Sequence, residues 1–157
     1  MSLILETGEG IPDSNSYLNV TEAETILTDL GYETFPSESD LINASLYIDT
    51  YLDPASFILT EDQGLMWPRQ AFTDNQGRTV KGIPKALKRA VAIIAVEFME
   101  EDLFDVEPSV ISESYGNSSV EFAYPQSKPG KVVSQLAYLR SLGYGGSNTT
   151  SVRLIRA

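Results

Sequence analysis

Apolar residues return at helical spacing in four stretches of this chain, each bounded by residues that start or stop helices. Ile26, Leu27 and Leu30 give one apolar face to a short helix ending near Leu30, and Gly31 supplies the stop. Thr21-Glu22-Ala23-Glu24 has capping-box spacing ahead of it, so the Thr hydroxyl can accept the Glu24 amide while the Glu24 carboxylate reaches back. Ser37-Glu38-Ser39-Asp40 starts a second helix with the stripe Leu41-Ser45-Ile48-Leu52. Asp53-Pro54 ends it, because a residue before proline is pushed out of the helical region. Ile83-Pro84 opens the third and strongest element, with Pro84 suited to the first helical position. Leu87, Ala90, Val91, Ile94, Ala95, Phe98 and Met99 form its stripe. Ala86, Ile93 and Val96 make it apolar nearly all round, which predicts a central core helix ending near 102–104. Val132, Val133, Leu136, Leu139 and Leu142 predict a last helix over 131–142, capped by Gly143.

The connections are less regular. Residues 6–18 are rich in Gly, Pro, Asp, Asn and Ser and read as a turn-rich entry. Residues 53–82 form a long irregular loop with a turn or hairpin at Asp74-Asn75-Gln76-Gly77. Loops of this length are either functional or well packed. Two β-prone runs, 110–115 and 119–124, flank Gly116-Asn117-Ser118 and predict a hairpin. Residues 144–151 read as a Gly/Ser/Asn/Thr linker, and 151–156 as a short terminal strand suited to β-addition. The expected fold is mainly α: a small bundle of about four helices with a long irregular loop, a β-hairpin near 110–124 and an extended C-terminal tail. One domain spans 1–142, followed by a flexible linker and arm, 143–157.

Composition narrows the chemistry. With 157 residues, 42% hydrophobic and 21% charged, the chain can bury a core without staples. It has neither cysteine nor histidine, which removes disulfides, thiolate nucleophiles, Ser-His-Asp and Cys-His catalysis and the usual zinc ligands. The N-terminus lacks the basic and apolar regions of a signal peptide, and no run approaches a membrane span. Paired acids such as Glu22/Glu24, Glu61/Asp62 and Glu100/Glu101/Asp102 read as solvated faces, since acid-base catalysis needs carboxyls converging in a cleft. The Asp74–Gly77 stretch lacks the ligand series of a calcium loop, and no phosphate-binding glycine motif is present. The expectation is a protein that is not an enzyme and carries no metal or cofactor.

Charge is unevenly placed. The net charge is −11, yet residues 1–68 hold 13 acids and no Lys or Arg. After Glu121 there is no acid, only Lys128, Lys131, Arg140, Arg153 and Arg156. This pattern fits a polar subunit whose regions meet complementary neighbours, and equally a generally acidic surface. The third helix carries Lys85, Lys88 and Arg89 in its first turns, just after Lys81, and acids at its end. That order opposes the helix dipole and hints that the charges serve a neighbour. This basic patch is the one candidate for nucleic acid, against a sequence pI near 4.3. Trp67 either packs the long loop onto the core or anchors an interface with Arg69.

Four segments carry a resemblance. Gly10 with Ser14-Asn15-Ser16-Tyr17 and Thr21-Glu22-Ala23-Glu24 resembles an N-terminal "NSY…EA" signature. Ser45-Leu46-Tyr47-Ile48-Asp49 resembles an "A-x-x-Y-I-D" helix, Gln63 to Arg69 a Q-x-L-x-WPR box, and Ile83-Pro84 through Ala90 an "IP…A" helix start. Together they cover about two-thirds of the chain, residues 8–105, and are similar to a phage family labelled DnaT-like single-stranded-DNA-binding proteins. Its layout is similar to the head–tail adaptors of tailed phages. The resemblance implies a structural subunit of the virion neck, made in the bacterial host cytoplasm. Such a subunit would form a ring, usually twelvefold, and dock on the portal and on a tail or nozzle protein. Double-stranded DNA would pass through it without specific binding, and no membrane is involved. On this reading Trp67, Arg69, Lys81, Lys85, Lys88, Arg89, Arg153, Leu154, Ile155 and Arg156 are interface residues. Acidic charge favours the adaptor, because a lining that repels phosphate lets DNA slide. The alternative is a single-stranded-DNA-binding accessory protein, which wants a basic groove.

Overall fold

A computed structural model describes residues 2–105, 110–113, 120–122 and 129–145. Helices α1 (Val20–Asp29), α2 (Glu38–Tyr51), α3 (Lys85–Glu100) and α4 (Gly130–Ser141) carry the fold. Strands β1 (Phe72–Thr73) and β2 (Thr79–Val80) pair antiparallel, as do β3 (Val110–Glu113) and β4 (Val120–Phe122). The fold is therefore mainly α, a small four-helix bundle. The expected hairpin near 110–124 is present in its two strands, Val110 opposite Phe122 and Glu113 opposite Val120. Its turn, and residues 146–157 with the expected terminal strand, lie outside the described residues.

Helix α3 is the hub. It packs against α2, α4 and α1, and Leu87, Ala90, Val91, Ala92, Ile94 and Ala95 are fully buried. Three neighbours on three sides explain why its sequence is apolar nearly all round. Fully burying each Leu, Ile or Val contributes about 1.5–3 kcal/mol of transfer free energy. Two starts differ from expectation. The α1 capping box is Asn19 with Glu22, two residues before the expected Thr21/Glu24 pair. The Asn19 side chain accepts the Glu22 amide at 2.8 Å, and Glu22 accepts the Asn19 amide at 3.1 Å. Both pairs have the same spacing, and Asn is the stronger cap. Pro84 is the N-cap of α3, not its first helical residue. At α2 the expected start at Ser37 to Asp40 is present, and there Ser37 and Asp40 form a capping box. Helix α4 ends in a Schellman motif: Gly143 (φ 90°) donates to the Arg140 carbonyl and Tyr144 to that of Leu139.

The irregular segments are packed. Tyr144, inside the stretch read as linker, is buried and meets the rings of Trp67 and Phe72 edge-on at 5.3 and 5.7 Å. Trp67 itself is 1% exposed and contacts Phe72 at 5.1 Å. The entry segment winds around Glu6, also 1% exposed. Its carboxylate accepts the amides of Gly8, Glu9, Gly10 and Ile11 and the hydroxyl of Ser14, at 2.8–3.1 Å. Ser45, the polar position of the α2 stripe, faces this segment and accepts the Tyr17 amide at 3.1 Å.

Candidate functional site

A cleft of about 850 Å³ opens where three chain segments that are distant in sequence converge. One wall is the end of α1, with Ile26, Asp29 and Leu30. The second is the β1–β2 hairpin and its continuation, with Arg78 and Lys81. The third is the first turns of α3, with Lys85, Lys88 and Arg89, and Tyr138 of α4 completes the rim. Ile83, Leu142 and Tyr144 make an apolar floor. The four cations that the sequence grouped, Lys81, Lys85, Lys88 and Arg89, are thus held on one surface.

They are not equally available. Lys88 donates to Glu22 at 3.3 Å, with both side chains about a third exposed, a pair worth under about 1 kcal/mol. Arg78 is bound to Asp74 at 2.9 Å. The Asp74 carboxyl is held below the usual aspartate range, first by the Arg78 backbone N–H and against the opposing effect of burial. Among the described residues these are the only salt bridges, and Lys81, Lys85 and Arg89 form none there. The Arg89 guanidinium lies 5.4 Å from the centre of the Tyr138 ring, which is 41% exposed. The α3 N-terminus adds a dipole: Pro84 provides no side-chain cap and the first turn contains no acid. Its first amides have no intrahelical acceptor and form a positive end suited to an anion. Asp29 is the opposing charge on the rim.

Sequence reading did not single out Tyr138, Arg78 or the α1 end as part of a site. Tyr138 lies between the buried Leu136 and Leu139, off the apolar stripe of α4. An exposed aromatic off the stripe was the only signal available. The other candidates lie elsewhere. Trp67 is in the core. Arg69 is half-buried, and its guanidinium donates to the carbonyls of Met66 at 3.0 Å and Pro54 at 3.2 Å. Arg153, Leu154, Ile155 and Arg156 lie outside the described residues.

Three of the four motif segments meet in a second cluster, away from the cleft, while the fourth, Ile83 through Ala90, lines the cleft. The Tyr17 hydroxyl donates to Asp49 at 2.6 Å and accepts the Trp67 amide at 3.2 Å, while Asp49 also accepts the Met66 amide at 3.0 Å. Burial raises the Asp49 carboxyl to about 6, against the lowering effects of the Tyr17 and Met66 hydrogen bonds and of Arg69. Burial, with the Asp49 charge beside it, pushes the Tyr17 hydroxyl well above its ordinary value. This cluster ties the entry segment, α2 and the long loop together. Among the described residues no group of three or more acids is placed to hold a metal ion, and no helix is long and apolar enough to cross a membrane.

Comparison with curated proteins and with solved structures returns no match. A family model described as "Putative DnaT-like ssDNA binding protein" matches residues 1–157. This overturns the neck-adaptor identification, with its twelvefold ring, portal and tail partners and double-stranded DNA passing unbound. That choice rested on net acidity as the deciding property. Net charge is a sum over the whole surface, whereas a bound strand meets only the local field, and the cations are gathered in the cleft. The chain belongs to the family of DnaT-like single-stranded-DNA-binding proteins.

Proposed function

We propose that this protein is a non-enzymatic accessory protein that binds single-stranded DNA in the cleft between α1, the β1–β2 hairpin, α3 and α4. The observation that carries the reading is the joining of three cations, without a salt bridge among the described residues, and an uncapped helix N-terminus to an exposed tyrosine above an apolar floor. Phosphates would lie along Lys81, Lys85 and Arg89 and on the first amides of α3. An unpaired base would stack on Tyr138, an option closed to bases paired within a duplex. The family supports the same reading.

The small number of cations sets the expected strength. Three to four phosphate contacts predict a slope of log K against log salt of about −2 to −3 for a single strand. Fluorescence anisotropy of a labelled oligonucleotide over a salt series tests this. Lys85→Glu should weaken binding and flatten the slope, because Lys85 is exposed and bonded to no acid among the described residues. Absence of binding at low salt, or a Lys85→Glu variant that binds as the parent does, overturns the proposal.

A further inference from the structure

A second pocket, of about 370 Å³, lies on the acid-only part of the chain. Leu46 of α2 and Ile58, Leu65 and Met66 of the long loop give it apolar walls, and Asp49 forms part of its lining. Leu46 is 53% exposed. An open apolar side chain such as Leu46 on a concave, largely apolar lining marks a candidate contact surface. Each Asp49 oxygen accepts one hydrogen bond, from Tyr17 and from Met66, and a carboxylate oxygen has room for a second. The nearby Arg69 is committed to backbone carbonyls. The neighbouring charged residues Asp53, Glu61 and Asp62 are all acids. An occupant must therefore be apolar and cationic at once.

One segment of this chain has that chemistry. Residues 152–156 read Val-Arg-Leu-Ile-Arg, at the end of a stretch with no acid after Glu121. The described chain leaves off at the right place. Gly145 lies against Leu52, since a Cβ built on it would be 3.2 Å from the Leu52 Cδ2, and Arg140 donates to the Tyr51 carbonyl at 2.9 Å. From Tyr51, the last residue of α2, back to Leu46 is about 8 Å of helix at 1.5 Å per residue. Residues 146–151 reach up to about 20 Å when extended. We propose that this pocket is the docking site for the chain's own C-terminal segment, residues 152–156, with an arginine on Asp49 and the aliphatic side chains over Leu46 and Ile58. A desolvated carboxylate repays a cation more than a surface acid does, and the raised Asp49 carboxyl marks it as desolvated. Tethering supplies an effective concentration of about 1 mM, so contacts too weak to hold a free peptide suffice.

The single tryptophan and the absence of cysteine make the test direct. In the full chain, Ala157→Cys carries a fluorescent acceptor, and energy transfer from Trp67, which immediately follows Met66 of the pocket wall, reports docking. Transfer should be efficient and independent of protein concentration. It should fall in the Arg153→Glu/Arg156→Glu variant and in Leu46→Lys, each lowering the docking equilibrium by about tenfold or more. Leu46 is half exposed, so its replacement leaves the fold intact, and the far-ultraviolet circular dichroism checks this. Weak transfer that neither variant changes overturns the proposal. So does transfer that rises with protein concentration, which would put a second copy's segment in the pocket. DNA binding by the cleft is measured separately and stands or falls on its own.

Discussion

Replacing Asp49 by Asn in the Arg153→Glu/Arg156→Glu background, where no docked arginine pairs the carboxylate, tests the energetics of the motif cluster. In the folded protein the Asp49 carboxyl is raised from 3.8 to about 6, with burial the largest cause. A pKa raised on folding means that the native state holds its proton more tightly. The stabilisation is complete below 3.8 and is lost as pH rises through about 6, opposite to the usual behaviour of a paired carboxylate. The whole difference corresponds to about 3 kcal/mol, at about 1.4 kcal/mol per pKa unit. About 2 kcal/mol of it falls between roughly pH 4.5 and pH 7.5. Asn keeps the shape but offers one acceptor where the Tyr17 hydroxyl and the Met66 amide both donate. Losing one acceptor costs about 1–3 kcal/mol at every pH. Asp49→Asn should thus be nearly neutral at pH 7.5 and destabilising by about 1–3 kcal/mol at pH 4.5. Urea unfolding followed by the fluorescence of Trp67, the single and buried tryptophan, reads both values. The general repulsion among acids affects parent and variant alike and cancels in the difference. A difference in stability that stays constant across this range would refute the account of Asp49.

Three further outcomes are expected. Glu6→Ala leaves four backbone amides and the Ser14 hydroxyl without their acceptor, which should cost about 3 kcal/mol or more by chemical unfolding; an effect below about 1 kcal/mol would show that water replaces the carboxylate. Gly64→Ala drives a Cβ into the Ser14 backbone, which cannot yield as a side-chain tip does, so the melting temperature should fall by an amount equivalent to at least about 2 kcal/mol. Tyr138→Ala should leave stability within about 0.5 kcal/mol, because the side chain is 41% exposed. It should also weaken single-strand binding by about 1–3 kcal/mol in anisotropy titrations, and unchanged affinity would remove Tyr138 from the site.

The local elements were legible in the sequence because their causes are local. The start at Ser37 to Asp40, Gly143 and the apolar stripe of α3 act within one or two helical turns, so spacing alone predicts them. Where two caps of equal spacing competed, as Asn19/Glu22 and Thr21/Glu24 did, the pattern did not rank them and the start shifted by two residues. The basic patch was legible for the same reason, since Lys81, Lys85, Lys88 and Arg89 are close neighbours in sequence. Its meaning was not. Whether a cation is free depends on Glu22 meeting Lys88 across 66 residues, and the stacking ring comes from α4, where only the packing on α3 brings Tyr138 over Arg89.

By itself the sequence determined four helices, the cap at the end of α4, a core built on α3, and the exclusion of histidine and cysteine chemistry. Tertiary structure decided which charged and aromatic groups share a surface. It moved Trp67 from candidate anchor to core and made Arg69 a brace for the loop carbonyls. It also made Glu6, one acid among the 13 of residues 1–68, the acceptor at the centre of the entry segment. The reason is physical: helix signals are set by neighbours within about four residues, whereas burial, desolvation and charge pairing are set by distances in space that the order of residues does not contain.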